Sequence, residues 1–226
     1  MEHIPVRDVE LRNSEFIAIL NEYKDILLKR EPGEDIPLIE KEIPIGHKDE
    51  KSEDWVSDQY MHEIINMGKG HDGFPKVLKG FSGLKHEGGV DVRGKVIKDA
   101  SRNLNSKLME FLSARNNALN ACYPPGGFIS WHNNANAPGY NIILTYSENG
   151  NGWFDYWDTN KKERVRVQDV PGWQCKMTYF GPYDTNDDQV CYHAAYTDDY
   201  RITVAFVFAE ADNFWEEVIE DLETEC

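Results

Sequence analysis

The sequence predicts a mainly β protein, a sandwich or barrel, with helices ahead of the strands and one short helix after them. Three observations carry this. From residue 127 to 208, short runs of β-branched and aromatic residues alternate with Gly-, Asn- and Pro-containing turns. Before residue 121, apolar residues recur every three or four positions. The tail 213–226 returns to that helical spacing among acidic residues.

In order along the chain, residues 14–30 read as a helix. Ser14 suits its N-cap, Phe16, Ile17, Leu20, Tyr23, Ile26 and Leu27 form one face, and Lys29 and Arg30 close it. Glu31-Pro32-Gly33 stops it, and 31–51 reads as a Pro- and charge-rich loop. A second helix is expected over 53–67. Residues 68–95 are glycine-rich, without a phosphate-binding motif, and read as a loop with lid-like character. A third helix is expected over 99–120, broken by Pro124-Pro125-Gly126-Gly127. Strands then follow at 128–132, 140–146, 153–157, 164–167, 174–180, 190–195 and 201–208, with Asn149-Gly150-Asn151-Gly152 as a hairpin-type turn. Residues 1–121 are expected as a helical and loop extension packed on a core of 122–226, together one structural unit.

At 226 residues the chain can bury a core without metal or disulfide staples. Its net charge is -16, from 40 acidic against 24 basic residues. Phosphate binding wants a basic footprint, so duplex nucleic acid is not an expected partner. Cys122, Cys175, Cys191 and Cys226 form no C-x-x-C pair and fit no zinc signature; the first three read as small core residues. The N-terminus has neither a basic start nor an apolar run, and nothing resembles a membrane span. A reduced, cytoplasmic protein is expected.

The chemistry concentrates in two short segments. His132 ends Phe128-Ile129-Ser130-Trp131-His132, and His193 lies in Val190-Cys191-Tyr192-His193-Ala194-Ala195. Neighbouring strands can bring two imidazoles onto one metal ion, and imidazole suits iron, zinc, copper and nickel alike. Taken alone, each histidine also reads as an ordinary core or surface residue. Arg201 heads the next strand, and alternation puts Thr203 on its face. A planar guanidinium beside a hydroxyl matches a carboxylate. The competing reading of Arg201 is an ion pair with Asp198, Asp199 or another acid at the strand end. Trp153, Trp157, Trp173 and Tyr179 suit a pocket lining or the core. His62, His71 and the His86-Glu87 dipeptide show no acid at ligand spacing.

With these residues in place, segment 122–208 resembles the 2-oxoglutarate/Fe(II)-dependent oxygenase superfamily. That pattern is His-x-Asp/Glu, a distal His, then Arg-x-Ser/Thr; His132, His193, Arg201 and Thr203 match it. The wording around 131–141 is similar to small oxygenase-like proteins carried by large tailed phages of marine bacteria. The resemblance implies a double-stranded β-helix (jelly roll) with N-terminal supporting helices and a short C-terminal helix. It implies Fe(II) held by His132 and His193, and 2-oxoglutarate held through its far carboxylate by Arg201 and Thr203. Tyr140, Asn141 or Tyr146 would add a hydrogen bond, with no catalytic residue beyond the metal ligands. The implied reaction couples oxidative decarboxylation of the co-substrate to attack on a C–H bond of an unidentified small-molecule or protein substrate.

Asn134 departs from the pattern, standing where a carboxylate ligand is expected. Its neutral carbonyl is a weaker ligand than an ionised carboxylate. Three readings stay open: Asn134 ligates through oxygen; the position passes to water, halide or another carboxylate, Asp155 being the nearest candidate on a neighbouring strand; or the metal site has been lost. The last would leave a non-catalytic jelly-roll protein, such as a binding or virion component with virion partners.

Overall fold

The chain opens with strand β1 (Val6–Val9) and helices α1 (Ser14–Leu27), α2 (Leu38–Glu42), α3 (Ser52–Trp55) and α4 (Asp58–Met67). A 3₁₀ turn (Gly68–Gly70), strands β2 (Leu78–Lys79) and β3 (Phe81–Ser82), and the long helix α5 (Val92–Leu112) come next. Eight strands follow: β4 (Asn116–Tyr123), β5 (Gly127–His132), β6 (Gly139–Ser147), β7 (Gly152–Asp158), β8 (Glu163–Gln168), β9 (Gly172–Phe180), β10 (His193–Thr197) and β11 (Arg201–Val207). Helix α6 (Phe214–Glu223) closes the chain. This computed structural model describes residues 6–42, 47–82, 92–135, 137–181, 190–208 and 214–225. Segment 83–91 of the glycine-rich stretch, with His86-Glu87, and Cys226 lie outside the described residues.

The strands form two antiparallel sheets, β1-β9-β6-β11-β4-β3 and β2-β5-β10-β7-β8. Between β4 and β11 the chain alternates sheets except at the β7–β8 hairpin, so that the central pairs β9-β6, β6-β11, β11-β4, β5-β10 and β10-β7 are non-sequential, which is the wiring of a double-stranded β-helix. The protein is therefore mainly β, a jelly roll with helical cover. β1, β2 and β3 come from the segment before residue 121 and extend both sheets.

Burial on both faces explains the near-continuous apolar wording of the central strands. Ile202, Val204 and Phe206 of β11 face outward onto Phe16, Leu20 and Leu27 of α1, Leu104 and Leu108 of α5, and Ile219 and Leu222 of α6. On the far side, Phe128 and Trp131 of β5 pack on Met61 and Ile64 of α4. Ile143, Phe154, Tyr156, Phe180 and Ala205 fill the space between the sheets. Cys122, Cys175 and Cys191 are free and buried, and burial pushes the Cys122 and Cys191 thiols up to about 12. Among the described residues no helix is long and apolar enough to cross a membrane.

Several expectations about the elements change. The segments 31–51 and 68–95, expected as loop, carry α2 in the first and β2, β3 and the start of α5 in the second. Asn13, not Ser14, caps α1, its side chain accepting the Phe16 N–H at 2.9 Å. The second helix divides at Ser57, whose Oγ accepts from Tyr60 N and caps α4. The third helix starts earlier and ends at Leu112, followed by Ser113 in a left-handed conformation (φ 48°). Residues 116–120 are strand: pairing with β11 satisfies their backbone, and the sheet overrides the helical spacing of Ala118 and Leu119. Finally, the 149–152 turn joins β6 to β7, which lie in different sheets, so it is a corner rather than a hairpin. Asp199 holds that corner, accepting from Asn149 N (2.7 Å), Asn151 N (3.1 Å) and Ser147 Oγ (3.1 Å).

Candidate metal centre

His132 is the last residue of β5 and His193 the first of β10, and the two are directly opposite in the sheet. The register slips between this pair and the next, Ala195 opposite Ile129: β5 takes three steps where β10 takes two. Such an extra residue re-aims a side chain. Trp131 joins the outer cluster with α4, while Ile129 packs on Tyr123 and Ala195 in the interior. The slip lets His132 meet His193, with ring centroids 4.1 Å apart and planes at 51°. Phe180 and Phe154 flank the His193 ring at 4.6 and 5.7 Å.

Each imidazole is oriented by its own backbone. His132 Nδ1 lies 2.8 Å from Ser130 O, and His193 Nδ1 lies 2.9 Å from Cys191 O. A carbonyl only accepts, so each Nδ1 carries the proton and each Nε2 keeps its lone pair. That is the tautomer metal-binding histidines adopt when the other nitrogen donates to a carbonyl. Both rings are buried, at 4% and 7% exposure. Burial lowers His193 to about 4 and holds His132 well below its ordinary value, with the neighbouring His193 adding to the effect. Both are thus neutral, as ligands must be.

The remaining donors fit less fully. Among the described residues, no group of three or more His, Cys, Asp and Glu side chains comes together. Asp155 is not available as a substitute carboxylate, which corrects that reading. It is buried on β7, and its carboxylate is held by Arg164 and by Arg166 at 2.9 Å. Phe154 and Tyr156, its neighbours on β7, are the residues that fill the interior. Asn134 sits half-buried in the loop after β5 with φ 62°, followed by Ala135 at φ 57°. The Asn133 side chain folds back to accept from Ala135 N at 3.1 Å.

Arg201 and Thr203 share one buried face of β11, as alternation predicts, and Arg201 Nη1 donates to Thr203 Oγ1 at 2.6 Å. Nη2 reaches Thr145 Oγ1 at 3.5 Å. The guanidinium Nε is committed to Asp169 Oδ2 at 2.7 Å, a fully buried ion pair. The acid that engages Arg201 is therefore neither Asp198 nor Asp199, which hold Tyr196 and the 149–152 corner respectively. Tyr123 lies with its ring 5.8 Å from the guanidinium, and its buried hydroxyl has no hydrogen-bond partner among the described residues. Asp169 Oδ1 is orphaned too. Buried polar atoms without partners are rare enough to mark a place for a polar guest.

Of the other predicted contacts, Asn141 is buried, its amide donating to Gly139 O at 3.1 Å. Tyr140 and Tyr146 lie on the opposite face of β6. Tyr140 stacks on Trp215 of α6 at 4.3 Å, and Tyr146 packs on Trp173 at 5.5 Å. They belong to the helix-facing core, a consequence of the period-two alternation with Asn141 and Thr145.

Two residues that the sequence did not single out, Asp169 and Tyr123, and one that it set aside, His71, stand at or beside this region. Nothing in the spacing announces Asp169. Tyr123 alternates with Ala121, a signal hidden by reading 116–120 as helix. His71 follows the 3₁₀ turn, and its loop packs on the loop leaving His132: Gly73 O accepts from both Asn133 N and Ala135 N at 3.2 Å.

No family model matches the chain, and no curated protein matches it. Among solved structures, a prolyl-4-hydroxylase of Pseudomonas putida is similar at 15% identity and a TM-score of 0.30, over 54% of this chain and 68% of that one. The likeness is too low to bear on residue roles; the strand order itself identifies the jelly roll.

Proposed function

We propose that this chain is an Fe(II)- and 2-oxoglutarate-dependent oxygenase that hydroxylates a C–H bond of a small-molecule or protein substrate. The observation that carries this reading is the His132–His193 pair: two neutral imidazoles, each with its Nδ1 proton given to a carbonyl, meeting across paired strands of a jelly roll. His132 and His193 would hold the metal through Nε2, with Asn134 at the third protein position. Metal and co-substrate, when bound, supply the oxidising chemistry. The chain's own residues orient and shield. Arg201 retains N–H donors beyond the one given to Asp169, and with Thr203, Thr145 and the unpartnered Tyr123 hydroxyl it offers a polar seat for the far carboxylate. Phe154 and Phe180 wall the metal side and exclude water.

Anaerobic titration with Fe(II) and then 2-oxoglutarate tests this reading. A weak visible charge-transfer band that needs both additions is expected. Failure of either ligand to bind would overturn it. A second reading has its own support, because Asp169 already neutralises the Arg201 guanidinium. In that reading the chain is a non-catalytic jelly-roll binding or assembly protein, and the same titration gives no band.

A further inference from the structure

The Arg201–Asp169 pair offers more than a positive charge. The two side chains are 3% and 1% exposed, and together they are neutral. Among the described residues, Arg201 gives Nε–H to Asp169, an Nη1–H to Thr203 and an Nη2–H to Thr145. Each Nη therefore keeps a further N–H. Asp169 uses only Oδ2; Oδ1, on the same carboxyl carbon, is buried without a partner among the described residues. Free donors and a free acceptor thus stand on one buried ion pair. Glycine at 152 makes room for it: a Cβ there would lie 2.5 Å from Asp169 Oδ2 and 3.1 Å from Thr197 Oγ1.

The neighbouring groups do not tip this balance toward an anion. From β4, Tyr123 stays un-ionised, because burial raises its phenol. From the corner after β10, Asp199 bonds Thr197 Oγ1 at 2.9 Å and adds a second carboxylate nearby. On β9, Gln174 lies opposite Thr145, and Lys176 Nζ donates to its Oε1 at 3.0 Å; Lys176 also pairs with Asp8. A bare carboxylate entering here would leave one uncompensated charge in a buried place beside Asp169, and like charges so close do not both ionise. A neutral group meets no such cost if its carbonyl faces the Arg201 N–H groups and its own N–H or O–H faces Asp169 Oδ1. We infer that the Arg201–Asp169 seat takes a neutral donor–acceptor group, a primary carboxamide or a carboxylic acid that keeps its proton, and not a carboxylate anion. Only the guest's identity rests on the proposed function: there, 2-oxoglutarate enters with one proton taken from solvent and shared between its far carboxyl group and Asp169.

Glutarate and its monoamide, glutaramate, differ at one end and lack the 2-oxo group that would chelate a metal. The test therefore uses the metal-free full chain, with affinity read by ligand-observed NMR. Glutarate should weaken about tenfold per unit as pH rises from about 6 to 8, because each molecule bound takes up one proton, while glutaramate should bind alike throughout. His132 and His193 stay neutral over that range and add no slope. Asp169→Asn should abolish the slope and make glutarate the tighter ligand of the two. Where Asp169→Asn does not fold, the wild-type pH series decides. Glutarate binding to wild type without pH dependence, a slope that survives in Asp169→Asn, or no binding of either compound overturns the inference. The oxygenase reading is tested apart from it. A chain that prefers glutaramate but gives no band with Fe(II) and 2-oxoglutarate keeps this inference and loses that reading; a band together with pH-independent glutarate binding does the reverse.

Discussion

Arg201 and Asp169 form an ion pair inside the jelly roll, Nε to Oδ2 at 2.7 Å, with Asp169 Oδ1 left unpartnered among the described residues. A guanidinium so compensated attracts a dicarboxylate less than a free one. Asp169→Asn removes the competing charge, and 2-oxoglutarate should then bind more tightly by calorimetry. The same change leaves a buried cation uncompensated, so the ligand-free chain should lose about 3 kcal/mol in urea melts. Unchanged affinity for 2-oxoglutarate would show that the co-substrate does not use Arg201.

The pH response follows from the two imidazoles. His193 has a pKa of about 4 in the fold and His132 lies well below its ordinary value, against 6.5 for a free side chain. Between pH 6.5 and 4 the unfolded chain binds protons that the folded chain refuses, so the stabilising contribution is complete above 6.5 and is lost as pH falls through that window. His193 alone accounts for on the order of 3 kcal/mol of this change. Urea melts of the metal-free chain at a series of pH values should show the slope, and His193→Gln should reduce it. A profile that His193→Gln leaves unaltered contradicts the buried neutral pair.

Asp155 is held by Arg164 and Arg166, with the Arg166 guanidinium 4.1 Å over the Trp153 ring. Its role is structural. Asp155→Ala removes the buried acceptor of two partly exposed arginines, of which Arg164 keeps Asp58, and should cost about 1–3 kcal/mol. Metal affinity of the folded fraction should not change. A specific loss of metal binding would return Asp155 to the site.

Asn134→Asp supplies the carboxylate that the centre lacks. Fe(II) affinity should rise, by about tenfold or more for a charged ligand in a buried site, in anaerobic competition with a chelator. An unmoved affinity means that residue 134 does not face the metal.

How much of this was legible in the sequence differs from element to element. The strand runs, the helical spacing of Phe16, Leu20 and Leu27, and the tail helix follow from local periodicity, and the structure keeps them. The swap of sheets at Asn149–Gly152 does not: a turn sequence fixes local geometry, not which strand its neighbour pairs with. The His pair was legible as a motif, but its meeting depends on a one-residue slip between β5 and β10 that strict alternation cannot predict. Thr203 beside Arg201 followed from alternation; the same rule, applied from Asn141, removes Tyr140 and Tyr146 from the interior. Asp169 was hidden because its partner Arg201 is distant in sequence, and an unpartnered donor such as His71 Nε2 becomes visible only when its surroundings are known.

The central claim is that His132 and His193 together hold one metal ion. X-ray absorption on the chain loaded anaerobically with one equivalent of Fe(II) tests it most directly, alongside His132→Ala and His193→Ala. The account predicts stoichiometric iron with scattering from two imidazoles in the wild type, and loss of that signal with weaker uptake in each variant. Iron that binds with no imidazole in its shell, or binds both variants as tightly as the wild type, would contradict it.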